Sequence, residues 1–411
     1  MNVLFISISP LPHISAHSIS LDLIHELIRN GHKVYAVCAN ERRNNTPTSV
    51  SEEEGCTVLR VKTGNNKKAN LIEKGLTTVL LPKLYISAIK KYFPDIKFDL
   101  LLYPTPPITH YQTVKYMKRR DGAKSYLLLK DIFPQNAVDI GMMSKSGVKG
   151  VLYRYFRRVE KKLYGISDRI GCMSQANVDY LLAHNPEIDP AKVEICPNSI
   201  EIQDMTITAE QRREIREKYW IPQDKKVFVY GGNLGRPQGI PFIIECLKTQ
   251  ETNEEAYFLI VGDGTEYGKL EAYFNESKPS NMKLMKRLPK EDYDRMVAAC
   301  DVGMIFLDHR FTIPNFPSRL LGYMQAGLPV LACTDPNTDI GQVITDGGFG
   351  WWCESNDTAA FGEAVRKALA SDGEQMKQQE LAYLHEHYAA QKACQTILTG
   401  LEDHKDENCC Q

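Results

Sequence analysis

Apolar residues fall along the chain in short continuous runs, each followed by a longer stretch with helical spacing. "VLFISI", residues 3–8, is apolar nearly throughout, the pattern of a strand covered on both faces. Leu21, Ile24 and Ile28 then recur at helical intervals, and Gly31 stands where a left-handed cap ends a helix. "KVYAVCAN" supplies the next strand. "CTVLRV", "FDLLLYP", "SYLLLKD", "DRIGCMS" and "VEICPN" continue the series, with helical stretches between several of them. The second half repeats the scheme in "KVFVYGG", "AYFLIVGDG", "MKLMKRL", "DVGMIFL", "PVLACT" and "GWWCE". Such alternation predicts parallel sheets wrapped by helices, an α/β protein. "PNSIEIQDMTITAEQ", residues 197–211, is polar and lacks a period, so it marks the boundary. The expected organisation is an N-terminal domain over residues 1–198 and a C-terminal domain over 199–385. A helix and polar tail follow over 386–411, the helix packing back on the first domain; the helical pattern itself runs from about Gln375 to Leu401. Two such units leave a cleft between them, the usual place for a ligand.

Composition narrows the class. At 411 residues the chain is too long for one ordinary core. A net charge of −1 gives no bulk attraction to nucleic acid, so no nucleic-acid partner is expected. The first residues read as a strand and not as a leader, and "TTVLLPKLYI" is interrupted by Pro82 and Lys83, so no span is expected. Eleven cysteines lie singly apart from Cys409-Cys410, with no C-x-x-C pair and no zinc-type spacing. A structural metal is therefore not expected, and free thiols fit a reducing, cytoplasmic setting.

One junction stands out. In "VYGGNLGRPQGIPF", residues 229–242, a strand passes into a helix through a glycine-rich loop. Pro241 is placed for the first helical turn. Gly231, Gly232, Gly235 and Gly239 let the backbone approach a ligand, and the helix start offers free N–H groups to an anion. Arg236 can fork onto phosphate oxygens, and Asn233 or Gln238 can donate amide hydrogens. A plain turn with a surface arginine fits the same residues. In "NFPSRLLGYMQAGLPVLA" Ser318 is the expected N-cap, and Arg319 falls in the first turn, where the helix dipole disfavours a cation. An arginine at that point reads as one that waits for an anion, or as an exposed one tolerated at small cost. The two arginines together predict a clamp on a diphosphate.

At these residues the chain resembles the retaining glycosyltransferases of family 4, with the two-domain GT-B fold of facing Rossmann-like units. "GNLGRPQGI" is similar to the donor loop of the branch that builds bacterial capsule, O-antigen and exopolysaccharide sugars. "FLIVGDGTEYGKLE" and "PSRLLGYMQAGLPV" are similar to later family blocks, and "LLLKDIFPQNAVDIGMM" resembles a D-x-W-P segment with Phe133 in the tryptophan's place. The resemblance implies a nucleoside-diphosphate sugar donor, UDP- or GDP-linked, and no separate cofactor or metal. By that analogy Arg236 and Arg319 neutralise the pyrophosphate, with Gly232, Asn233, Gly235, Gln238 and Ser318 close to it. The backbone at Arg287 and Leu288 faces the base. The acceptor sits near "YPTPPITHY" and "KDIFPQ". The family's paired glutamates fall at Pro314 and Gly322, so neither is present.

Transfer needs a place for the acceptor's proton. In a front-face mechanism the departing phosphate takes it. Asp131 and His110, each following a strand, are the catalytic candidates beside the arginines; a loop carboxylate and a core histidine are the plainer readings. His13 falls in a similar position. Asp308, His309 and Arg310 occupy the place of the family's first acidic residue. Basic segments 67–97 and 145–169 fit contact with an anionic inner-membrane face, or solvated helix faces. The function expected is transfer of a sugar to a lipid-linked or glycan acceptor, the protein being cytoplasmic or peripheral on that face. A non-catalytic GT-B partner subunit and a GT-B nucleotide-sugar epimerase are the alternatives.

Overall fold

The structure, a computed structural model, describes residues 1–65 and 71–406. Lys67 and Lys68 of the first basic segment, and the Cys409-Cys410 pair, lie outside the described residues. The chain forms two compact units, Met1–Glu201 with Ala389–Gln411, and Ile202–Tyr388.

The first unit holds an eight-stranded sheet. In chain order its strands are β1 (Asn2–Ile6), β2 (Lys33–Glu41), β3 (Ser49–Glu53), β4 (Cys56–Thr63), β5 (Leu100–Pro104), β6 (Lys124–Leu129), β7 (Arg169–Cys172) and β8 (Val193–Ile195). Across the sheet they run β3-β4-β2-β1-β5-β6-β7-β8. All neighbours are parallel except β3 and β4, which form an antiparallel edge pair. The two-residue period of a strand divides the apolar side chains between two layers. Leu4, Ile6, Leu101 and Tyr103 meet Leu81, Tyr85, Val114 and Leu163 of the helices on one face. Val3, Phe5, Leu100 and Leu102 meet Leu21, Ile24, Cys394 and Ile397 on the other. The last helix, Ala390–Asp406, thus belongs to the first unit's core beside helix Ile19–Arg29.

The second unit is built on a six-stranded, all-parallel sheet. Its strands are β9 (Lys226–Asn233), β10 (Ala256–Asp263), β11 (Met282–Lys286), β12 (Val302–Phe306), β13 (Val330–Thr334) and β14 (Gly350–Glu354), in spatial order β11-β10-β9-β12-β13-β14. Phe228, Tyr230, Phe258, Ile260, Met304 and Phe306 form the centre of its apolar layer, closed by Ile243, Leu270, Phe361 and Val365 from the helices.

Two features differ from the sequence reading. The edge strand β3 is "SVSEE", too polar to register as an apolar run. The single helix expected from about Gln375 to Leu401 is two, Gly373–His387 and Ala390–Asp406. They part at Tyr388-Ala389, where Ala389 bridges Ile200 and Ala390 N–H donates to the Ile200 carbonyl at 2.9 Å. No glycine or proline marks that break, so the helical period runs through it. Among the described residues no helix is long and apolar enough to cross a membrane, and the nine cysteines are free and buried.

Candidate active site

The second sheet reverses direction of growth at β9, with β10 on one side and β12 on the other. Crevices for ligands open beyond the carboxyl ends of the strands at such a point. β9 ends in Tyr230-Gly231-Gly232-Asn233. A Cβ on Gly231 would stand 1.7 Å from Tyr293 Oη, so only glycine lets that tyrosine lie against the strand. Gly232 has φ +119°, a conformation that side chains rarely adopt, and its Cβ position lies 3.7 Å from Arg319 Nη2. The loop continues into a 3-10 turn, Arg236–Gln238. Gln238 Oε1 accepts from Gly235 N and Asn233 Nδ2, both at 3.1 Å, so its amide oxygen braces the loop from within. Asp308 N, just past β12, donates to the Pro237 carbonyl at 2.9 Å and ties the two exit loops together.

Arg319 opens helix Arg319–Ala326. Its guanidinium lies over the Tyr230 ring, 4.2 Å from the centroid. Nη1 is buried and has no hydrogen-bond partner, and among the described residues no carboxylate pairs with this arginine. A desolvated cation surrounded by tyrosines and no carboxylate is costly unless an anion joins it. Tyr323, one helical turn on, holds the arrangement: its Oη receives Gly231 N–H at 3.2 Å and lies 3.2 Å from the Val229 and Met304 carbonyls. Ser318 does not cap this helix. Its backbone is already helical and its side chain makes no capping bond; the Leu320 and Leu321 N–H groups donate instead to the Pro317 and Ser318 carbonyls, each at 3.2 Å.

A cavity of about 420 Å³ opens beside these groups. Gly232 and Asn233 line it from β9, Asp263 from the end of β10, and Arg287, Leu288 and Tyr293 from the segment after β11. Four residues singled out in the sequence, Gly232, Asn233, Arg287 and Leu288, thus share one cavity, and Arg319 adjoins it. The volume suits a nucleoside-sized ligand.

Other expected residues are placed differently. Arg236 is exposed and faces Glu266, Nε to Oε1 3.8 Å, a carboxylate that Lys269 also contacts. The twin-arginine clamp is therefore not preformed: Arg319 is set, while Arg236 is held by an acid. Asp308 is bound bidentately by Arg310 at 2.7 and 2.8 Å. Burial pushes its carboxyl up, but the Arg310 bonds outweigh that and hold it below the usual range. It is an occupied ion pair, not a free replacement for the missing glutamate.

In the first unit, Asp131 follows β6. Asn136 Nδ2 donates to both its oxygens, at 2.7 and 2.8 Å, yet burial pushes the carboxyl up to about 6. His110 needs correction as a catalytic residue. It is fully buried, its ring stacks on Tyr85, neither nitrogen has a hydrogen-bond partner, and burial lowers its pKa to about 3. A neutral imidazole sealed in the core cannot take a proton from a substrate outside it. His13 is exposed and bonds Ser15 Oγ at 2.9 Å. The tyrosines Tyr230, Tyr293 and Tyr323, which build the cradle around Arg319, were not singled out in the sequence.

Residues 211–385, nearly the whole second unit, match the family described as glycosyl transferases group 1. The chain is 26% identical over 308 residues to the probable glycosyltransferase WbjE of Pseudomonas aeruginosa, covering 75% of this chain and 74% of that one. The chain is a glycosyltransferase. It is also 22% identical to the putative colanic acid biosynthesis glycosyl transferase WcaI of Escherichia coli, over 69% and 70% of the two chains. Among solved structures, HepE of Anabaena in complex with UDP superposes with a TM-score of 0.69 at 14% identity, covering 98% of the enzyme and 100% of HepE. The two parallel-sheet units are those of the GT-B fold.

Proposed function

We propose that the enzyme transfers a sugar, with retention, from a nucleoside-diphosphate sugar to a lipid-linked glycan acceptor in the assembly of a cell-surface polysaccharide. One observation carries the donor assignment: the Arg319 guanidinium, desolvated and without a carboxylate, stands 3.7 Å from the Cβ position of Gly232 beside a nucleoside-sized cavity. A diphosphate crossing the bare Gly232 backbone supplies the missing anion. The base then lies against the Arg287-Leu288 segment. The HepE relative was solved in complex with UDP, which supports uridine as the base, and the WcaI relative supports a polysaccharide product.

In the reaction the glycosidic bond to the diphosphate breaks and negative charge grows on the leaving oxygen. Arg319, at the positive end of its helix, is fixed before that charge appears, which is the condition for effective electrostatic stabilisation. The departing phosphate accepts the acceptor's proton. Arg236 joins once the diphosphate competes it away from Glu266. This scheme needs no metal, and transfer is expected to persist in EDTA. We assign acceptor recognition to the first unit, where Asp131 offers a carboxylate able to orient a hydroxyl.

Membrane contact rests on helix Gly147–Ile166. Leu163 faces the core and Phe156 packs partly against it, but Val148, Val151, Leu152 and Tyr155 remain exposed among Lys149, Arg154 and Arg158. An apolar strip edged by cations suits an anionic lipid surface, each cation adding about 1 kcal/mol. The deciding experiment supplies radiolabelled UDP- and GDP-sugars to the enzyme with a lipid extract. Label in the lipid phase is the expected result; free nucleotide with no labelled acceptor, for every donor, would overturn the reading in favour of an epimerase or hydrolase.

A further inference from the structure

The loop after β1 and the helix that follows it, together with Glu201, bring together two histidines and two carboxylates. His17 Nδ1 lies 3.1 Å from Asp22 Oδ1 and 3.8 Å from Glu201 Oε2, and His25 Nδ1 lies 3.3 Å from the same Glu201 oxygen. One ligand atom from each of the four residues falls within 4.8 Å of every other. Four donors about 2.0–2.1 Å from a tetrahedral zinc are about 3.3 Å apart, so the measured spacings bracket that edge length.

The hydrogen bonds around the cluster leave the inward atoms for a cation. His25 Nε2 sits 2.6 Å from the Ile14 carbonyl, so that nitrogen carries its hydrogen and donates. In the neutral ring the Nδ1 lone pair then points at the Glu201 carboxylate, two electron-rich atoms in contact. A second-partner bond that fixes the tautomer in this way is the usual support of a metal-bound histidine. Asp22 is anchored by Ser18 N–H at 3.2 Å on Oδ1 and Glu201 N–H at 3.0 Å on Oδ2. Glu201 is held through its other oxygen by Arg29 at 2.5 Å, which leaves Oε2 facing the histidines. Asp22 is 2% exposed and His17 35%, so the cluster is sheltered but open to solvent on the His17 side.

We propose that His17, Asp22, His25 and Glu201 form a binding site for a divalent cation of the zinc class. Two imidazoles and two carboxylates select a borderline ion over calcium or magnesium, which favour all-oxygen shells. With four protein ligands the site is closed in the manner of structural zinc. It clips the β1 loop and helix Ile19–Arg29 to Glu201, the residue at which the first stretch of the unit ends.

The test uses the full chain, stripped with a chelator and desalted, then titrated with Zn²⁺ against a chromophoric competitor and, separately, with Co²⁺. One Zn²⁺ per chain is expected, with cobalt absorption bands of tetrahedral intensity and a higher melting temperature in zinc. His17→Gln, which removes the most exposed ligand, should weaken binding about a hundredfold and abolish the melting shift while the metal-free variant melts with the metal-free parent. Equal zinc uptake by parent and His17→Gln, or a parent chain showing no cobalt bands, would overturn the site in favour of a proton-bridged cluster. The cobalt spectrum of the parent decides the matter if the variant does not fold.

Discussion

In each unit the first strand of the sheet runs into a helix, and the two junctions are opposite in chemistry. From the end of β9 the chain reads "GGNLGRPQGI"; after β1 it reads "SISPLPHISAHS". In the second unit side chains are withheld: Gly231 makes room for Tyr293, Gly232 leaves backbone bare, and the nearest charge is a guanidinium without a carboxylate. In the first unit the loop is filled by its own residues. Leu11 and Ile14 are buried, Ile14 N–H donates to Glu53 at 3.1 Å, and Arg60 holds that carboxylate while reaching the Leu11 and Pro12 carbonyls. Past the loop lie two histidines facing two carboxylates. On the two proposals made above, one topology serves an anion in one half and a cation in the other, with glycine content setting the difference. Where bare glycine backbone lies beside an unpaired guanidinium, a phosphate fits; where imidazoles and carboxylates occupy that space, a phosphate is excluded by both volume and charge.

The hardest blow to this contrast is Arg319→Ala. Two or more charge-assisted bonds to phosphate disappear, so kcat/KM is expected to fall about 10²- to 10³-fold. Calorimetry sharpens it: UDP affinity should drop by a similar factor while uridine changes little, because only the diphosphate meets the arginine. Equal losses for both ligands would mean that Arg319 shapes the pocket and does not touch the anion.

Asp131 asks whether the first unit takes part in chemistry at all. Asp131→Asn is expected to lower kcat about a hundredfold with donor affinity unchanged. Burial has raised this carboxyl to about 6, so it is neutral below that pH and ionised above it. Wild-type kcat should therefore rise with pH through about 6, and the variant should lack that limb. Asp335, likewise pushed up to about 6 by burial, is why the variant and not the profile alone assigns the group.

The fold was legible because buried parallel strands are apolar in short runs, and each run read above as a strand is one. β3 escaped because an edge strand can be polar, and the division at Tyr388-Ala389 escaped because two helices in series keep one period. The site was readable in pieces. Gly232 and Asn233 on one side and Arg287 and Leu288 on the other share a cavity, but nothing in local spacing joins them; the family resemblance did. Tyr230, Tyr293 and Tyr323 look like core residues in any periodicity, and only packing shows them around a cation. The cation cluster left one local trace, Asp22 and His25 three apart on a helix, since Glu201 is 176 residues from His25.

Glu53→Gln probes the filled junction through stability. The Arg60 hydrogen bonds, with those from Ser51 and Ile14, hold Glu53 down to about 2 against an ordinary 4.5. A depressed carboxylate stabilises the fold above its unfolded pKa and loses that contribution as pH falls through the folded value. The variant should be about 2–3 kcal/mol less stable at pH 7 by denaturant melts, and the difference should shrink between about 4.5 and 2. Donor affinity should stay at the wild-type level, since this loop serves the first unit. A parallel loss of UDP binding would erase the distinction between the two junctions.

Gly232→Ala probes the open junction most lightly. A methyl here meets nothing closer than Arg319 at 3.7 Å, an ordinary contact, so space in the free enzyme is not the obstacle. Two costs remain. The backbone at φ +119° is strained for alanine by about 1–2 kcal/mol, which should appear as lower thermal stability with or without ligand. The methyl also occupies the surface over which the diphosphate must pass, and that should appear only on binding, as about a tenfold weaker UDP affinity beyond any loss for uridine. Gly231→Ala separates the two effects from the other side. Its Cβ would overlap Tyr293 Oη at 1.7 Å, so it should damage the cradle and the stability together. If Gly232→Ala lowered the melting temperature yet bound UDP as tightly as the parent, the bare backbone would be a requirement of the turn alone, and the phosphate would lie elsewhere along the helix start.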